Sequence, residues 1–173
     1  ATFINAIITG NTSSSGGGMH NTQSSPTLIN LTVVGNSAPS GGGGIFNFTS
    51  ASPLIYNSVF YNNGIDITNF NGSVNGNSSH NFSATYGGVG FTVLNANPFV
   101  DSGDAIGYDG LWKTEDDGLI QTPDAILIDA GNSNFNPLGL DIKGDNRFLG
   151  NAIDVGAYEI EGSTLNLDDN LFS

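Results

Sequence analysis

Apolar residues in the first hundred positions come in short runs separated by Gly, Asn, Ser and Pro. The runs are rich in β-branched and aromatic residues, as in Ile29-Asn30-Leu31-Thr32-Val33-Val34 and Leu54-Ile55-Tyr56-Asn57-Ser58-Val59-Phe60. Runs of this composition, bounded by turn-forming clusters, predict strands. No window carries the 3.6-residue apolar stripe of an amphipathic helix.

The runs also recur. Ile4-Asn5-Ala6-Ile7-Ile8-Thr9-Gly10-Asn11 aligns with Ile29-Asn30-Leu31-Thr32-Val33-Val34-Gly35-Asn36, and Gly16-Gly17-Gly18-Met19-His20-Asn21 with Gly42-Gly43-Gly44-Ile45-Phe46-Asn47. Each copy closes on Ser-Pro, at Ser25-Pro26 and Ser52-Pro53, and a third copy starts at Leu54. The offset is 25 to 27 residues. A period of this size marks a solenoid, a propeller or an array, and a propeller blade needs ~40–45 residues. The predicted fold is therefore all-β, a right-handed parallel β-helix with coils of about 26 residues and an irregular C-terminal cap.

In such a fold equivalent residues stack every ~4.8 Å. The expected inward stacks are Ile4/Ile29/Ile55 and Ile8/Val33/Val59, with an Asn11/Asn36/Asn62 ladder bonding along the axis. The glycine blocks supply a corner of positive φ. Thr9, Val34 and Phe60 share one position, so no regular Thr row of an ice-binding face forms.

Charge divides the chain. Of 173 residues, 16 are acidic and three basic, for a formal charge of −13. Residues 1–100 hold one acid, Asp66, and no Lys or Arg; the other acids and Lys113, Lys143 and Arg147 follow. Stacked like charges repel, which accounts for the uncharged coils. Three cations and a pI near 4.1 exclude the basic footprint of a nucleic-acid binder. No apolar run is long enough to span a membrane. Without Cys there is neither a disulfide nor a thiolate site. The expected organisation is coils over 1–94, C-terminal coils and cap over 95–160, and an acidic tail over 161–173. The repeat is already under way at Ala1, so further coils are expected upstream.

Residues 97–159 bring a resemblance. Asn97-Pro98-Phe99-Val100-Asp101, Asp109-Gly110-Leu111-Trp112-Lys113-Thr114-Glu115-Asp116-Asp117-Gly118-Leu119, Ile128-Asp129-Ala130-Gly131 and Asp145-Asn146-Arg147 through Ile153-Asp154-Val155-Gly156-Ala157-Tyr158-Glu159 follow one another in order. This series resembles the C-terminal end of the choice-of-anchor Q β-helix domains of bacterial surface and secreted proteins. The likeness covers roughly residues 1–160. Leu165 to Ser173 resembles the linker before a type IX secretion sorting domain in Bacteroidota proteins, and equally a plain acidic tail. The resemblance implies an extracellular or cell-surface location, a glycan or cell-surface ligand, and a secretion-machinery partner.

Two acidic groups are candidate sites. Asp101, Asp104, Asp109, Glu115, Asp116 and Asp117 form the densest cluster; loop carboxylates and carbonyls suit Ca²⁺, and the same residues suit turns closed by Asp side chains. Asp141, Asp145, Arg147, Asp154 and Glu159 form the closing motif. Paired carboxylates there would serve acid/base chemistry on a glycosidic bond; alternatively Arg147 pairs with Asp154 or Glu159 and pins the cap to the last coil. His20 replaces Phe46 of the next coil, which suggests a stacking position. Trp112 with Tyr108 offers a sugar-stacking pair, or burial at the coil end. A lyase needs a base and cations on the coils, and residues 1–100 have no Lys or Arg. The expected function is a non-enzymatic cell-surface or secreted module, adhesin- or stalk-like. The alternative is a carbohydrate-active enzyme or glycan-binding module whose site lies on upstream coils.

Overall fold

The computed structural model describes residues 1–162. The chain is an all-β parallel solenoid of about three turns. Its strands are β1 (Thr2–Thr9), β2 (Met19–Thr22), β3 (Thr27–Val34), β4 (Ile45–Phe48), β5 (Leu54–Tyr56), β6 (Val59–Tyr61), β7 (Ile67–Phe70), β8 (Asn81–Ser83) and β9 (Phe91–Val93). Every pairing between them is parallel. One sheet runs β1-β3-β6-β8-β9 with β5 also on β3, and the other runs β2-β4-β7. The tail expected from 161 onward lies, apart from its first two residues, outside the described residues.

Each coil has three faces. Asn5 and Asn30 adopt φ of 49° and 54° in the middle of β1 and β3, and Asn57, at 49°, separates β5 from β6. Asn tolerates this left-handed conformation better than most residues with a Cβ. The first face carries residues 2–4, 27–29 and 54–56; the second carries 6–9, 31–34 and 59–61. The third is the β2-β4-β7 sheet.

Leu28, Leu31, Val33, Ile45, Ile55, Phe60 and Ile67 point inward and form one buried cluster. Tyr86 and Phe91, edge to face at 5.1 Å, pack against its far end. Val34, Val59 and Phe82 point the opposite way from the second face, yet they too are buried. They belong to a separate cluster with Phe99, Leu119, Ile120, Leu127, Val155 and Tyr158.

The second cluster shows what the acidic region packs against. Residues 95–162 do not simply close the last coil. They run back along the outside of the solenoid as a flank cover. Asn132 N donates to Asn57 Oδ1 on the third coil at 2.8 Å. Ala157 N donates to Thr32 Oγ1 on the second at 2.9 Å. Asn5 on the first coil accepts from Arg147 Nη2 at 3.3 Å. Phe135 stacks on Tyr56 at 3.7 Å. The physical reason is the apolar outer side of the second face, which needs a cover along its whole height.

The register of the third coil also differs from the expected stacks. Ile4 sits beside Ile29, but Ile29 sits beside Tyr56; Ile8 sits beside Val33, but Val33 sits beside Phe60. The ladder correspondingly runs Asn11–Asn36–Asn63, with amide bonds of 2.9 and 3.0 Å. The step from the second coil to the third is 27 residues at this corner against 25 from the first to the second. Asn62 instead takes the left-handed corner position, φ 55°, equivalent to Gly10 and Gly35. A second ladder, Asn21–Asn47–Asn69, runs along the third face at 3.0 and 2.9 Å. Only part of each glycine block is needed for positive φ. Gly42 has φ 63°, whereas Gly17 is required because a Cβ there would lie 2.6 Å from the Ser37 carbonyl of the next coil.

Candidate functional site

The chemistry-bearing residues concentrate where the flank cover meets the coils. Four carboxylates of the cover are buried, Asp117, Asp141, Asp154 and Glu159, together with one cation, Arg147. Arg147 is fully buried. Its Nη1 donates to Tyr158 O at 3.1 Å and to Glu159 Oε2 at 3.4 Å. Its Nη2 donates to Gly156 O and to Asn5 Oδ1. The planar guanidinium thus ties the 156–159 segment to the first coil, a geometry Lys could not reproduce.

The carboxylates around it collect backbone donors. Asp141 Oδ1 accepts from the N–H groups of Lys143, Gly144 and Asp145, at 2.8, 2.9 and 2.9 Å, and its Oδ2 from Glu159 N at 3.1 Å. Asp154 accepts from Asp129 N at 2.8 Å and Ile160 N at 3.0 Å. Asp154 N in turn donates to Glu159 Oε2 at 2.8 Å. Burial pushes the Asp154 carboxyl up to about 6 and the Glu159 carboxyl up to about 7. Backbone donors and Arg147 oppose that rise without cancelling it. Asp154 faces Arg147 only at longer range, so the ion pair of the closing motif is Arg147–Glu159. Asp145 is not part of this buried set; it pairs on the surface with Lys143 at 3.2 Å.

The other acidic group is arranged differently. Asp101 Oδ1 closes a turn by accepting from Gly103 N at 2.9 Å, and Asp109 Oδ1 does the same for Leu111 N at 2.7 Å. Asp116 accepts from Asp109 N at 3.0 Å and Thr114 Oγ1 at 2.8 Å. These bonds hold its carboxyl below the usual value, with the Asp109 N–H first among the causes. Asp117 alone is buried, accepting from Lys113 N at 2.7 Å and from the Tyr158 hydroxyl. Burial first, then Asp117, pushes the Tyr158 phenol up. Asp104 is exposed at the turn that Asp101 closes, and Glu115 reaches Lys143 at 2.6 Å. Among the described residues no three of these side chains converge as a set of metal ligands.

Trp112 lies over the flank of the first coil. With Lys113, Ile142, Ile7, Ile8, Thr9 and Asn11 it lines a cleft of 510 Å³. Tyr108 is fully exposed. His20 lies beside Phe46 with ring centroids 5.1 Å apart.

Sequence reasoning missed the coil side of this junction. Asn5, Thr32 and Asn57 are its polar anchors, and Gln121 braces the 155–158 segment through Nε2 bonds of 3.1 Å to Val155 O and Tyr158 O. The available signal was the near-continuous apolar character of β3, whose last seven residues are all buried. Strands buried on both faces read that way. Asp66 is buried as well. It accepts from Asn63 Nδ2 at 2.8 Å and Ser83 Oγ at 2.7 Å, so the only acid on the coils terminates the Asn ladder.

The fold and the latch define a β-solenoid whose flank is sealed by its own C-terminal region. No protein-family model matches the chain, and neither a curated protein nor a solved structure matches it.

Proposed function

We propose that the chain is a non-catalytic module of a secreted or cell-surface bacterial protein, a rigid support that carries a binding face. The observation that carries this reading is the burial of Arg147 with Glu159, Asp154 and Asp141 against Asn5. These groups are engaged in joining cover to coils, with their hydrogen bonds directed at backbone and at one another. A catalytic pair needs a reacting atom within hydrogen-bond reach, and these carboxylates face the protein interior. Asp66, within the coils, is likewise enclosed. The uncharged, hydrogen-bonded ladders suit a support that must stay folded outside the cell. The resemblance of residues 97–159 to choice-of-anchor Q domains points the same way, and export through a type IX route belongs to the same proposal.

Incubating the chain with neutral and uronate polysaccharides and assaying new reducing ends and unsaturated products tests the reading. Binding without product is expected. Soluble oligosaccharides released in step with protein concentration would overturn it.

A further inference from the structure

The third face stands apart from the flank cover, and its outward side is aromatic. β2, β4 and β7 pair in register, so that His20 lies beside Phe46 and Thr68, and Thr22 beside Phe48 and Phe70. Their neighbours along each strand, Met19, Ile45 and Ile67, pack in the interior. The rings form a diagonal stripe across three coils. His20 and Phe46 are 5.1 Å apart, Phe46 and Phe48 6.2 Å, and Phe48 and Phe70 5.7 Å. Phe70 is 55% exposed. The stripe spans ~12 Å from the strand spacing and rise, long enough for a short oligosaccharide.

We propose that this stripe is a binding platform for a neutral polysaccharide, a proposal that rests on the module reading above and gives it a ligand class. Three properties of the face select that class. Its rings are carried on a paired sheet and stacked on one another, so they are held in place without an ordering cost on binding. Thr22 and Thr68 border them, and Ser24 and Ser25 lie exposed beyond the end of β2. An apolar ring stripe edged by hydroxyls matches a sugar ring, which is apolar on its faces and polar at its rim. The face also lacks ionic groups: residues 1–100 contain no Lys or Arg, and their one acid, Asp66, is buried. A uronate or sulfated chain would find no cation here, and the formal charge of −13 repels it. The same charge opposes a second copy of this chain as the occupant, and phosphate repulsion excludes nucleobase stacking by a nucleic acid.

Affinity electrophoresis of the full chain through gels containing β-glucan, mannan, xylan or polygalacturonate tests the assignment. At least one neutral polymer should retard the protein, and polygalacturonate should not. The double variant Phe48→Ala/Phe70→Ala, which removes two rings of the stripe, should bind roughly tenfold more weakly, with an unchanged thermal midpoint. If that variant fails to fold, Phe70→Ala alone carries the test and Phe70→Trp should preserve binding. Retardation by no neutral polymer, or by polygalacturonate most strongly, overturns the proposal. So does a wild-type dimer that the double variant converts to a monomer, since the stripe would then join two copies. Binding abolished by Trp112→Ala and kept by the double variant overturns the platform while leaving the module reading intact. Released oligosaccharides overturn the module reading instead.

Discussion

The coils and the flank cover solve the same packing problem by opposite means. In residues 1–94 each rung repeats its neighbour, and stability comes from columns: aliphatic side chains inward, Asn amides bonded from rung to rung. In residues 95–162 almost nothing repeats. That region contains one short 3₁₀ turn, Ser133–Phe135, two isolated antiparallel bridges, and many turns closed by Asp or Asn side chains. Its attachment depends on a few buried polar groups with unique partners. Repetition tolerates local variation, because a rung needs only to resemble the next. A latch built from one guanidinium does not.

The largest expected effect separates the two regions directly. Arg147→Ala would leave Glu159 buried and uncompensated, a loss of about 3–5 kcal/mol for a broken buried pair. Amide exchange should then accelerate through 129–160 while β3 and β4 remain protected. Equal acceleration in β3 would show that coils and cover are one unit with no independent part.

A smaller loss is expected when the ladder is cut at its end. Asp66→Ala strips the acceptor from Asn63 Nδ2 and Ser83 Oγ, a cost of about 2–3 kcal/mol for stranded buried partners of a charged group. Denaturant midpoints would measure it, and an unchanged midpoint would mean that the ladder adds nothing beyond the apolar columns.

The last effect is spread over a range of pH. Asp154 and Glu159 titrate higher in the folded chain, about 6 and about 7, than their ordinary values of 3.8 and 4.5. The folded state therefore holds these protons more tightly. The stabilisation is complete below pH ~4 and is lost as pH rises through 6 and 7. Thermal midpoints should fall between pH 5 and pH 8, and Glu159→Gln should flatten that slope. A midpoint that rises over this range would contradict the burial of the pair.

Much of the solenoid was legible because its period is carried by residues with backbone roles. Asn5 and Asn30, Gly10 and Gly35, and the glycine blocks mark equivalent corners in the first two coils. The third coil departs by one position from the expected stacks, because chemical likeness aligns Ile55 with Ile29 whereas the backbone pairs it with Leu28. The Ser-Pro pairs, Ser25-Pro26 and Ser52-Pro53, carried the correct 27-residue step: Leu54 N donates to Pro26 O. A one-residue slip exchanges inside for outside, so Val59 was expected inward and instead faces the cover. The Arg147–Glu159 pair was among the partners the closing motif allowed. Its anchor on Asn5 could not be read from the motif, because it joins residues 142 positions apart, and no local pattern encodes which surface a distant loop will cover.

That long bond also alters how the molecule comes apart and together. A bare stack of coils behaves as a one-dimensional chain, free to fray from either end. Here Asn5, Thr32 and Asn57, one from each coil, bond to the same short stretch between residues 132 and 157. Fraying the first coil means breaking a contact made by residue 147, so the rungs are coupled side to side as well as end to end. Contacts of such separation raise the contact order and slow folding as a whole. Unfolding of the wild-type chain is expected to register as a single transition by every probe, which Arg147→Ala would split in two.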